Sequence, residues 1–187
     1  MAFLGLFRAV KREFGEARLA QVLDRASDTT RLMSSERIRH FRWYPYAGFS
    51  GFLDCVESTF GQGDGSLSRE LGKEAAARDL EDHLDKLAEA SPEDLIKASA
   101  MVWDGYYRNA GYMHAISWAP EETVLRISEF SEMTPNHCKL MEGWMIAAMD
   151  AIGIIVHDDA RERECMSRGG RWHEFWCRWS PKDAAPT

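Results

Sequence analysis

The sequence predicts an α+β domain, with several helices packed ahead of a small antiparallel sheet that one long helix interrupts. Three observations carry this. Apolar residues recur at helical spacing up to Gly111, strict alternation follows from Gly111 to Phe130, and a proline-initiated helical segment then separates that hairpin from three further strand-like runs. With 187 residues and 45% apolar side chains, the chain is long enough to bury one full core. A single domain over residues 1–180 is expected, followed by a disordered polar tail, 181–187.

In chain order, Phe7, Val10, Phe14, Ala17 and Val22 fall at helical spacing among charged residues and predict an amphipathic helix over 6–25. Pro45 suits the first turn of a second helix, which GQGDG at 61–65 ends. Ser66 or Ser68 is expected to cap a third, with a stripe of Leu71, Ala75, Leu80, Leu84 and Leu87. Ser91-Pro92-Glu93-Asp94 puts a capping serine, an N1 proline and first-turn acids ahead of a fourth helix, with Gly111 as its natural end point. GYMHAISW and TVLRISEF then read as a hairpin about Ala119-Pro120-Glu121-Glu122. Thr134-Pro135 opens the long helix, with Leu140, Met141, Trp144, Ala148 and Ile152 on one face. GIIVHDD, ARERECM and RWHEFWCRW follow as strands, the last two joined through Gly169-Gly170. Asp158-Asp159 reads as a solvated turn.

Thirty acidic against 23 basic side chains give a formal net charge of -7, which repels phosphate backbones, so nucleic acid is not an expected partner. No run of eighteen apolar residues and no cleavable leader is visible, which points to a cytoplasmic protein without a membrane span. Cys55, Cys138, Cys165 and Cys177 are too few and too scattered for a disulfide scaffold, so reduced thiols are expected. The sequence has no G-x-S-x-G elbow, HExxH, P-loop or GxGxxG, and a non-enzymatic role is the leading reading.

WYP (43–45), ELGKEAAARDL (70–80), VWDGYYRNAG (102–111), HCKLMEGWMIAAMDAIG (137–153) and C-x₃-GG-x₂-H-E-F (165–175) together resemble an uncharacterised family of small myxobacterial proteins. That family is similar to a branch of the four-vinyl-reductase superfamily, with its haem nitric-oxide-binding domains, aromatic-responsive sensor domains and Bet3-like tethering subunits. The resemblance implies a helical half on a small antiparallel sheet, a buried ligand cavity and, in several members, homodimers. It also implies a zinc site, which maps onto Cys138, Glu162, Cys165 and, in place of a cysteine, His173. Such a zinc would be structural, because four protein ligands leave no open position. The residues themselves leave two alternatives, a zinc site or small buried side chains at a hairpin corner. On a regular strand Glu162 and Cys165 face opposite sides, so a site needs a bulge or a strand end between them. His137 is an alternative nitrogen donor.

Strand parity places His173, Phe175, Cys177 and Trp179 on the core face of the last strand. Phe49, Phe52, Trp103, Tyr106, Tyr107, Tyr112 and Trp144, with Met101, are candidates to line an apolar cavity for an aromatic or lipid-like molecule, or else simply form the core. Haem is not expected, because the Tyr-x-Ser-x-Arg signature of the haem-binding relatives is missing, although His114 and His137 are conceivable axial ligands. The leading expectation is a sensor or adaptor domain in signalling that binds a small apolar ligand or a protein partner. The alternatives are a ligand-free protein-interaction scaffold of the Bet3-like kind and, below that, a metal- or thiol-dependent enzyme. Homodimerisation is expected through Phe3, Leu6, Phe7, Val10, Phe14 and Val22, with Phe41 to Phe52 contributing the rest of the interface.

Overall fold

A computed structural model describes residues 2–35, 39, 42–81, 91–119, 121–157 and 160–182. Leu84 and Leu87 of the expected stripe, Phe41, Pro120, the Asp158-Asp159 turn and the tail from 183 lie outside the described residues. Among those described, the helices are α1 (Ala2–Arg25), α2 (Asp28–Ser35), α3 (Tyr46–Phe60), α4 (Ser66–Glu81), α5 (Pro92–Tyr106) and α6 (Pro135–Ala151). The strands are β1 (Tyr112–Ala119), β2 (Glu122–Ser128), β3 (Ile154–Val156), β4 (Arg161–Glu164) and β5 (His173–Pro181). The α+β class read from the periodicity is the observed one.

All strand pairs are antiparallel, in the order β1-β2-β5-β3, with β4 also paired to β5. The central strand is thus the last in sequence. The helical layer packs around one apolar cluster in which Phe3, Leu6 and Val10 of α1 meet Phe52, Leu53 and Val56 of α3 and Leu71 of α4. A second cluster joins the sheet to α5 and the start of α6 through Trp103, Ile127, Phe130, Cys138 and Phe175.

Local chemistry explains the element boundaries. Ser91 and Asp94 form a reciprocal capping box on α5, and Thr134 accepts from the His137 N–H at the start of α6, as the sequence indicates. The cap of α4 differs from expectation. Neither Ser66 nor Ser68 caps it; the buried Glu57 carboxylate of α3 accepts from Gly65 N at 3.2 Å, Ser68 N at 2.8 Å and Ser68 Oγ at 2.7 Å. A carboxylate satisfies orphan helix N–H groups and complements the dipole better than a hydroxyl does. Two further elements were not visible in the sequence: the short α2, and the bend of α1 at Gly15, whose φ of 77° only glycine adopts readily. The helix before the hairpin ends at Tyr106 rather than at Gly111. Gly111 instead takes a φ of 65° where a Cβ would lie 1.9 Å from the Ser128 carbonyl oxygen.

The apolar face assigned above to a homodimer is used within the chain. Phe3 is 3% exposed, Leu6 1%, and Val10 and Val22 0%, while Phe14 stacks on Phe60 with ring centroids 4.8 Å apart. The surplus of large apolar residues on α1 is therefore consumed by α3 and α4. On β5 the parity rule holds for His173, Phe175 and Trp179 and fails for Trp176, which is also buried. Trp176 lies on the opposite face, under the guanidinium groups of Arg163 at 4.0 Å and Arg161 at 5.4 Å.

α4 and α6 cross in backbone contact. A Cβ added to Gly143 would lie 1.8 Å from the Arg69 carbonyl oxygen, and one on Gly72 would lie 2.0 Å from that of Leu140. Only glycine at both positions permits this approach.

Candidate functional site

Cys138, Glu162, Cys165 and His173 converge at the edge of the second cluster, their ligand atoms all within 4.8 Å of one another. Cys138 lies in the first turn of α6, and His173 opens β5. The geometric difficulty with Glu162 and Cys165 is removed by a register irregularity between Glu162 and Glu164 and by the end of β4, after which Cys165 caps a 3-10 turn, Met166–Arg168. Gly169 then takes a φ of 87°, and Gly170 closes the turn with its N–H on the Cys165 carbonyl at 2.8 Å. A Cβ on Gly170 would meet that same oxygen at 2.8 Å, so the two glycines shape the corner that presents Cys165.

Within the cluster Cys138 Sγ lies 3.2 Å from His173 Nδ1 and 3.8 Å from Cys165 Sγ, and His173 Nδ1 lies 3.3 Å from Glu162 Oε1. A tetrahedral shell at ordinary zinc bond lengths separates its ligand atoms by about 3.4–3.8 Å. His173 Nε2 donates to the Phe130 carbonyl at 3.2 Å, and Nδ1 faces the Glu162 carboxylate, to which it donates when it carries a proton. Without that proton, Nδ1 and the carboxylate at that separation are complementary to a cation. Burial, and then the charge of Glu162, push the Cys138 thiol pKa up. For Glu162 burial would raise the pKa, but hydrogen bonds from His173, Cys138 and Cys165 and the charge of Arg168 outweigh it and hold the carboxyl below its usual value. Arg168 pairs with the second Glu162 oxygen, Oε2. All four cysteines are unbridged.

His137, the alternative nitrogen donor, is held elsewhere. It is fully buried, with Nδ1 3.1 Å from the Tyr46 hydroxyl and Nε2 2.7 Å from the Tyr107 hydroxyl. Tyr46 also accepts from the Thr134 N–H at 3.1 Å, so a buried relay runs from the start of α6 through His137 to Tyr107. Burial, with a contribution from His173, drives the His137 pKa down to about 3, which keeps the ring neutral.

Tyr107 reaches a second feature, an apolar cavity of about 70 Å³ between α4, α5, α6 and the sheet. Of the predicted lining residues the structure brings together Phe49, Trp103, Tyr106, Tyr107 and Trp144. Phe52 does not reach it, being fully buried against Phe3 and Phe7. Tyr112 and Met101 do not either, being 56% and 72% exposed. Sequence reasoning missed Asp79, which accepts from the Tyr106 hydroxyl at 2.7 Å and lies 3.5 Å from Trp144 Nε1, and it missed the wall of Ile96, Met145 and Met149. The only sequence signal for Asp79 is an acid on the otherwise apolar stripe of α4, four residues after Ala75.

The sequence matches no protein-family model and no curated protein. Comparison with solved structures is decisive for the architecture. An H-NOX protein from S. oneidensis, a triple mutant in its Fe(II) ligation state, superposes with a TM-score of 0.73 at 13% identity, over 100% of this chain and 98% of that one. The chain has the H-NOX fold. An Fe(II) unliganded H-NOX protein from K. algicida gives 0.71 at 10% identity, over 96% of this chain and 95% of that one. An oxygen-binding H-NOX domain related to soluble guanylate cyclases gives 0.64 at 10% identity, over 98% and 96%. Among the described residues no helix is long and apolar enough to cross a membrane.

The haem-binding relatives noted above raise haem directly, and the described lining of the cavity offers no axial ligand for it. Among the described residues no histidine lines the cavity: His137 has both nitrogens taken, His173 is in the four-residue cluster, and His114 is exposed on β1. The phenols of Tyr106 and Tyr107 are hydrogen-bonded, and burial raises both pKa values, which disfavours the phenolate an axial ligand would need. A volume of about 70 Å³ also falls short of the roughly 300–1,000 Å³ of ordinary cofactor pockets.

Proposed function

We propose that this chain is a non-enzymatic sensor domain in signalling that takes a small apolar or aromatic molecule between α4, α5, α6 and the sheet. The observation that carries the reading is the cavity. Its described wall is almost wholly apolar, and Asp79, its one acidic side chain, already accepts from Tyr106 and Trp144. Such a wall favours an apolar body and offers few polar contacts.

Cys138, Glu162, Cys165 and His173 would hold a structural zinc ion near the start of α6. The metal would supply two positive charges against two thiolates and a carboxylate, with the Arg168 guanidinium beside Glu162 offsetting the third, and would fix the corner of β4 and β5 against α6. The residues' own part is to orient: Phe130 holds His173, Arg168 holds Glu162, and the two glycines present Cys165.

The small volume favours a second reading, an interaction scaffold whose core is filled and which binds only protein. Native mass spectrometry of protein purified without added ligand or chelator separates the two. A co-purified small molecule supports the sensor; a ligand-free chain that also fails to bind small aromatic compounds supports the scaffold. Elemental analysis on the same sample tests the metal, with about one equivalent of zinc expected and less than about a tenth refuting it.

A further inference from the structure

The outward face of the sheet gathers arginine over tryptophan. Residues directly opposite in an antiparallel pair share a face, so Arg126 joins Glu174, Arg178 joins Glu122 and Arg161 joins Trp176 on the side turned away from His173 and Phe175. The Trp172 ring centre lies 3.6 Å from the guanidinium of Arg126 and 4.5 Å from that of Arg171. Around Trp176 stand Arg163 at 4.0 Å, Arg161 at 5.4 Å and Arg178 at 5.9 Å. The described acids of this face are Glu122, Glu164 and Glu174, and two of them are already engaged. Glu174 pairs with Arg126 at 2.7 Å, and Glu164 accepts from the Arg171 backbone N–H at 2.7 Å. Arg161, Arg163 and Arg171 are exposed and make no ion pair among the described residues. Arginines thus outnumber acids on the described face of a chain whose formal net charge is -7.

We propose that this face docks an acidic segment of a partner protein, whose carboxylates pair with Arg161, Arg163 and Arg171. The inference goes beyond the sensor reading and stands whether or not the cavity takes a ligand. One guanidinium is enough to cover a ring; three within 5.9 Å of one ring centre repel one another, and an anion that bridges them relieves the repulsion. Stacking uses the flat face of a guanidinium and leaves its N–H donors at the edge, already held in place, so less side-chain freedom is lost when a carboxylate arrives. Spacing agrees. Arg126 on β2 and Arg161 on β4 flank β5 by one strand each, roughly 10 Å apart, which is about three residues of an extended segment. The same geometry disfavours nucleic acid, because bases stack on open aromatic faces and both indoles here lie under guanidinium groups. A phosphate backbone running past the patch would also meet a chain of net negative charge, whereas a short acidic segment needs only the patch.

The test is fluorescence anisotropy with a labelled peptide of alternating glutamate and serine. At about ten residues and about 50 mM salt it is expected to bind the full-length chain with a Kd of about 10–100 µM, at least about fivefold weaker by about 300 mM salt. The matching peptide of glutamine and serine should not bind. Arg161→Gln with Arg163→Gln should weaken binding at least about tenfold, while Arg8→Gln with Arg78→Gln, the same charge change at exposed sites on α1 and α4, should stay within about twofold. Arg171→Gln, beside the other ring, should cost about threefold by itself and carries the test should the Arg161 and Arg163 pair unfold, which circular dichroism reports. No binding at about 1 mM, equal loss in both double variants, or full affinity after loss of Arg161 and Arg163 overturns the proposal. So does displacement of the peptide at lower concentration by a thymidine oligonucleotide or by phosphatidylserine vesicles, either of which would assign the face to another class of partner.

Discussion

Replacing Gly143 by alanine tests the packing of the helical layer most directly. The added Cβ would lie 1.8 Å from the Arg69 carbonyl oxygen, 2.8 Å from its carbon and 3.1 Å from Lys73 N, all backbone atoms of α4. Ordinary contact begins near 3.4 Å, so α4 and α6 must separate by roughly 1.6 Å, and no side chain can rotate aside instead. Overpacking typically costs about 1–3 kcal/mol, with backbone collisions at the upper end, and the intrinsic preference of a helix for alanine returns about 1 kcal/mol. The net expectation is a loss of about 2 kcal/mol or more, seen as a lower midpoint in urea and a fall in Tm of about 4–8 °C. Gly105→Ala is the control. That glycine, in the last turn of α5, has nothing among the described residues within 4 Å of an added Cβ and no positive φ, so the same change should stabilise by about 0.5 kcal/mol. A Gly143→Ala protein as stable as the parent would refute the backbone crossing.

Other consequences are equally open to measurement. Glu57→Gln removes the charge that satisfies Gly65 N and both Ser68 donors, and should cost about 2 kcal/mol in chemical denaturation, with Ser68→Ala costing about half as much. Tyr107→Phe leaves a buried His137 nitrogen without its partner and should destabilise by about 1–3 kcal/mol, whereas Tyr112→Phe, at an exposed site, should change nothing detectable in the same melts. Cys138→Ser should reduce bound zinc by at least about tenfold and lower Tm only when the parent is metal-loaded, as paired melts with and without a chelator would reveal.

What could be read in the sequence was what local chemistry encodes. The capping box at Ser91, the Thr134 cap, the alternation of β1 and β2 and the glycine turn before His173 each act within a few residues, and each marks its element correctly. The convergence of Cys138, Glu162, Cys165 and His173 was legible only through resemblance, since the step that brings Glu162 and Cys165 to one side is a strand irregularity with no residue signature. Glu57 capping a helix eleven residues away, Asp79 meeting Tyr106 and Trp144, and the placing of His137 between two tyrosines are products of tertiary packing, and periodicity carries no trace of them. Phe52 and Tyr112 failed as cavity residues for the same reason. Aromatic character signals burial or contact, but only the path of α1 decides that Phe52 is sealed under Phe3 and Phe7.

The glycine crossing also determines how the domain can transmit a change. Gly143 stands five residues after Cys138 and six before Met149 on one unbroken helix, about 7.5 Å and 9 Å by helical rise. The paired contacts of Gly72 and Gly143 clamp the helix to α4 from Leu140 to Trp144, across its middle rather than at one pivot. Displacement of the Met149 end would therefore have to be taken up by the two helices moving together, and the Cys138 end would follow only as far as α4 gives.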